Sequence, residues 1–152
     1  MTRARLLVGL SALALTQPRL AGAETAPACP LTRTVRAQPP RDPNADAFGN
    51  GPWFVNGDRS IWAGWDAVRM VAGPRGSKVL WIRPQGTQLN VTGRRLDADS
   101  PPLQARVDCC SPAGFLSSRL FFPAEGCWEV SATSGGSELT FVTRVRPAPR
   151  RR

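Results

Sequence analysis

The chain has 152 residues, with 20 Lys plus Arg against 11 Asp plus Glu, a formal net charge of +9, and neither His nor Tyr. Without an imidazole there is no Ser-His-Asp or Cys-His pair and no His-ligated zinc site. Lys78 is the only lysine, and Arg75 stands three residues before it, so the S-x-x-K nucleophile pattern fails.

Residues 1–23 read as a secretory signal peptide. Arg3 and Arg5 form a positive start, Leu6 to Leu15 an apolar run, and Ala21-Gly22-Ala23 a small-x-small cleavage site before Glu24. The run is too short to span a bilayer and ends at Pro18 and Arg19, so no stable membrane insertion is expected after cleavage. The localisation this implies is secreted or periplasmic. Residues 24–47 carry Pro27, Pro30, Pro39, Pro40 and Pro43 with little apolar content, and predict a disordered Pro-rich arm or linker. Residues 147–152 predict a basic C-terminal tail with polyproline character.

Between them, residues 48–146 show short apolar runs punctuated by turns, the rhythm of a small sandwich or barrel. Trp53, Trp62 and Trp65 cluster early, near Asp58 and Asp66. Such tryptophans either stack on a sugar ligand or plug one end of a core, and the second is the expected role. Val79-Leu80-Trp81-Ile82, bounded by Gly76 and Pro84, predicts a buried strand. Leu89, Val91 and Gly93 alternate with polar residues, as do Leu103, Ala105, Val107 and Cys109. Trp128, Val130 and Ala132 share one face of a further strand. Ser134-Gly135-Gly136-Ser137 then predicts a turn into Leu139, Phe141, Thr143 and Val145, completing a hairpin. No window carries a helical apolar stripe, so the mature chain is expected to be an all-β antiparallel sandwich of about seven strands.

Four cysteines, Cys29, Cys109, Cys110 and Cys127, follow the signal, and an even number in an oxidising compartment favours disulfides. Four allow three pairings. The expected one joins Cys110 to Cys127, closing a short loop worth about 3 kcal/mol in the chain-entropy picture, and Cys29 to Cys109. A vicinal Cys109–Cys110 bond would be strained and would point to thiol redox work, yet no C-x-x-C motif accompanies it. A four-thiolate metal site lacks the usual spacing. Asp97-Ala98-Asp99-Ser100 offers oxygens for calcium but reads better as a polar turn before Pro101-Pro102. Asn90-Val91-Thr92 matches the glycosylation sequon within a predicted strand. Glu125 and Glu129 are a candidate carboxylate pair without a cleft, and Gly49-Asn50-Gly51 lacks the rest of a dinucleotide fingerprint. No metal or cofactor is therefore expected.

The stretch from Phe122 to Val130, Phe-Pro-Ala-Glu-Gly-Cys-Trp-Glu-Val, followed by a glycine turn and Leu139-Thr140-Phe141-Val142, resembles the last two strands of an immunoglobulin-like domain. Together with Lys78 to Ile82 and Gly93 to Asp97, it is similar to uncharacterised secreted bacterial proteins of immunoglobulin-like sandwich type, over residues 48–146. The resemblance implies no catalytic residues. Trp128 stands where a tyrosine corner has Tyr, so the corner hydrogen bond comes from the indole N–H or is absent. The preference for Arg over Lys is also a bacterial trait.

Most of the charge lies in the flanks: between Phe48 and Val145 ten basic residues meet eight acidic ones. That balance, without a basic patch interleaved with stacking aromatics, argues against a nucleic-acid partner. The expected function is a non-catalytic exported module that binds a protein or a cell-envelope polymer through loops and strand edges. The alternatives are a carbohydrate-binding module using Trp53, Trp62 and Trp65, or a thiol-redox protein using Cys109 and Cys110.

Overall fold

The computed structural model describes residues 28–40, 50–65, 69–108 and 114–148. Among these residues there are nine strands and no helix. Six strands form one antiparallel sheet in the order β1 (Val35–Arg36), β2 (Pro52–Val55), β3 (Trp62–Trp65), β4 (Ser77–Ile82), β7 (Phe115–Phe121) and β6 (Gln104–Val107). Three strands form the second, in the order β5 (Asn90–Arg95), β8 (Gly126–Ser134) and β9 (Ser137–Val145).

The two sheets enclose one apolar core. Phe54, Ala63, Val79, Trp81, Leu116 and Leu120 face inward from the larger sheet and meet Trp128, Val130, Ala132, Leu139, Phe141 and Val145 from the smaller. Period-two alternation dictates that set, because burying one face of a strand selects every second residue. Across the interface Phe54 stacks on Phe141 with ring centroids 4.2 Å apart, and Phe122 meets Trp128 edge to face at 5.2 Å. Each large apolar side chain buried in this way contributes roughly 1.5–3 kcal/mol relative to exposure. The two indoles of this core both find acceptors. The Trp81 indole donates to Ser118 Oγ at 2.8 Å and the Trp128 indole to the Ala124 carbonyl at 3.0 Å.

The β8–β9 hairpin forms where the alternation places it. Gly135 and Gly136 both take positive φ, 57° and 82°, which a two-residue turn with primed geometry requires and which only glycine adopts freely. One end of the sandwich is closed by residues 70–73: Ala72 donates to the Arg146 carbonyl, Arg146 to Met70, and Gly73 to Phe122. Those bonds tie the last strands of both sheets together.

Three features depart from the sequence reading. β7, next to the middle of the large sheet, goes unrecognised in the sequence because its outward residues include Phe115 and Phe121 while inward Ser118 is polar. The segment 28–40, expected as part of a disordered arm, is instead built onto the domain. Thr32 exchanges bonds with Val142 of β9, Val35 and Arg36 pair with β2, and Ala37 packs beside Trp53 and Trp62. The third departure is the disulfide. Cys127 bonds Cys29, with Cα atoms 5.5 Å apart, so the expected Cys110–Cys127 and Cys29–Cys109 pairing is corrected. Cys127 lies on the outer face of β8, opposite Arg144 of β9, where the incoming arm reaches it. Cys109, Cys110, the signal segment and the terminal arginines Arg150 to Arg152 lie outside the described residues.

Candidate functional site

The tryptophan cluster is a second core. Trp53 and Trp62 project from the outer face of the large sheet yet are each only 1% exposed. Their rings meet edge to face at 6.1 Å, with Ile82 beside them and Ala37, Val55 and Phe115 around the margin. The register places Trp53 opposite Gly64, where any Cβ would run into the indole, so the glycine makes room for the ring to lie on the sheet. Trp62 donates its indole hydrogen to the Arg59 carbonyl at 2.7 Å, and the Arg59 guanidinium lies 5.9 Å from the ring centroid. Neither indole presents an open face, so Trp53 and Trp62 pack as core residues rather than as members of the alternative Trp53, Trp62 and Trp65 sugar platform. The side chain of Trp65, and Asp66, lie outside the described residues.

The carboxylates are engaged structurally. Asp97 accepts from Arg95 Nε at 2.6 Å and from the Cys127 amide at 2.9 Å. Burial alone would raise its pKa, but the Arg95 hydrogen bond, the Cys127 amide and the Arg95 charge together outweigh it and hold the carboxyl below its ordinary value. Asp58, on an exposed turn, is held below its ordinary value by the Ser60 hydroxyl and amide. Glu129 accepts from Arg94 Nε at 2.8 Å, and Glu125 lies on the exposed loop before β8. Among the described residues no three His, Cys, Asp or Glu side chains gather in a way that would hold a metal ion.

What the fold does assemble is a row of cations. Lys78 on β4 stands directly opposite Arg119 on β7, which stands directly opposite Arg106 on β6. All three are exposed on the outer face of the large sheet. Paired residues on adjacent antiparallel strands lie about 4.5–5.5 Å apart at Cα, so three like charges are held in line across three strands. Arg119 also donates to the Arg75 carbonyl at 3.1 Å, so the backbone of a fourth basic residue lies beside the middle of the row. The Arg106 guanidinium is fixed over the Phe121 ring at 5.2 Å from its centroid. Beside it opens a groove of about 530 Å³ whose walls include Pro74, Pro101, Pro102, Phe121 and Pro123.

The smaller sheet treats charge oppositely. There Arg94 faces Glu129 across the β5–β8 register and the two form an ion pair. Like charges directly opposite are destabilising and unlike ones stabilising, each by roughly 0.2–1 kcal/mol. The Lys78–Arg119–Arg106 row is therefore a local cost that the same fold avoids on its other face. The row is not legible in the sequence, because the three residues are brought together only by register and because β7 lacks a clean apolar–polar alternation. Compared with protein-family models and with curated proteins, the chain matches none.

Proposed function

We propose that the chain is a non-catalytic exported module that binds a protein or cell-envelope component, and that its contact surface is the outer face of β4, β7 and β6. The observation that carries this reading is the like-charge row Lys78–Arg119–Arg106, exposed and bordered by an apolar groove. An anionic partner converts that repulsion into attraction on binding, and the rigid sheet holds the cations in place beforehand. The Cys29–Cys127 bond supports export, since disulfides persist in oxidising compartments. The indole bond from Trp128 to Ala124, at the start of a late strand, supports the immunoglobulin-like relationship.

The test is to titrate the ¹⁵N-labelled full chain with oligoglutamate and follow the amide shifts. They are expected to concentrate at residues 75–79, 104–107 and 117–121, and to fade as salt is raised. Shifts confined to β5, β8 and β9, or none at all, would refute the assignment of this face.

A further inference from the structure

The binding-module reading leaves the partner's chemistry open, and the edge of the large sheet narrows it. We infer that β6 is the docking edge for an extended acidic segment of another polypeptide, which adds as a seventh strand with one carboxylate directly opposite Arg106. The inference rests on the reading of this face as the contact surface.

β6 is the terminal strand of its sheet among the described residues. Backbone groups in an antiparallel pair alternate between facing the partner strand and facing away from it. Asp108 donates its amide to the Ser117 carbonyl of β7, which places Asp108, Arg106 and Gln104 in the set bonded to β7. Leu103 points the other way and donates to Gly93 of the smaller sheet. By the same alternation Ala105 and Val107 direct their amides and carbonyls outward, offering an incoming strand two donors and two acceptors. The opposite border of the sandwich is different. There the 28–36 segment already runs between β9 and β2, with Thr32 on Val142 and Val35 on Trp53.

Side chains specify what the strand carries. A residue placed opposite Arg106 extends the row Lys78–Arg119–Arg106 by one position, so a carboxylate there meets a guanidinium already held over Phe121. The flanking outward positions on β6 are neutral Gln104 and Asp108, whose carboxylate accepts from the Ser117 hydroxyl. A chain charged at every residue would meet Asp108 unfavourably, whereas a peptide with a single acidic residue among neutral ones does not. At the Pro101–Pro102 end, the proline and phenylalanine walls of the groove receive apolar side chains of the same segment. Backbone pairing, one acidic residue and flanking apolar residues together describe strand addition by a polypeptide rather than capture of a uniform polyanion.

The experiment uses the full, disulfide-bonded chain and a fluorescent nonapeptide alternating valine and threonine with one central glutamate, read by anisotropy. N-methylating one alternate set of peptide amides is expected to abolish binding, while methylating the other set changes it less than about twofold, because only one set faces β6. Arg106→Glu is expected to weaken binding at least tenfold. Replacing the central glutamate by lysine should restore binding to that variant, which also shows that it is folded. Equal tolerance of both methylated sets, or no rescue by charge exchange, would overturn strand addition. So would tighter binding of a uronic acid oligomer than of the peptide. If the peptide fails while oligoglutamate still shifts residues 75–79, 104–107 and 117–121, strand addition alone falls. If both fail, the reading of this face falls with it.

Discussion

Asp97 shows how single residues secure this fold. Its carboxylate joins the strand end at Arg95 to the start of β8 through the Cys127 amide, and Leu96 donates to the Cys127 carbonyl beside it. Its pKa lies below the ordinary 3.8, so its contribution to stability is full above that value and is lost as pH falls through the lower, folded-state pKa. Asp97→Asn is therefore expected to reduce stability at pH 7 by about 1 kcal/mol, the scale of one hydrogen bond, and to flatten the loss below about pH 4. Denaturant melts of both proteins at pH 7 and pH 3 measure this, and parallel acid profiles would contradict it. The residues around Asp97 predict a polar turn but carry no hint of the Cys127 amide, 30 positions away. Trp128 is half legible: its inward face follows from the alternation, whereas nothing in the sequence singles out the Ala124 carbonyl as the acceptor of its indole.

Elements were readable in proportion to how cleanly one face is buried and the other wet. β8 and β9 alternate across nine residues each and are joined by two glycines, so hairpin and inward face follow from the sequence. β2 and β3 carry tryptophan toward a second small core on the outer face and Phe54 and Ala63 toward the main one, which erases the alternation. The arm was hidden for another reason. Proline-rich composition shows that a segment cannot build a core of its own, but says nothing about pairing with an existing edge under a covalent tie. Residues 28–37 do this, through Cys29, Thr32, Val35 and Arg36. Replacing Cys29 and Cys127 together by Ser is expected to destabilise the chain by about 2–4 kcal/mol, given a bridge spanning 98 positions. Amide exchange should quicken first at Thr32, Val35 and Val142, ahead of β4 and the centre of β8. Unchanged exchange along the arm would show that strand pairing alone holds it.

For the molecule as a whole, two stacked antiparallel layers were readable from turn rhythm and the lack of helical periodicity, whereas the disposition of charge was not. Ten basic and eight acidic residues between Phe48 and Val145 suggest a nearly balanced surface. Register instead separates it into a paired face, with Arg94 on Glu129, and a repulsive one, with Lys78, Arg119 and Arg106 in line. Like charges in register lower the stability of the free protein, and in the function proposed above an anionic partner offsets that cost. Lys78→Glu tests that coupling most directly, because it places a carboxylate opposite Arg119 at an exposed position. The variant is expected to melt higher, by about 0.5 kcal/mol in stability, and to bind oligoglutamate several-fold more weakly. A variant that is no more stable than the parent and binds the anion just as tightly would contradict the account.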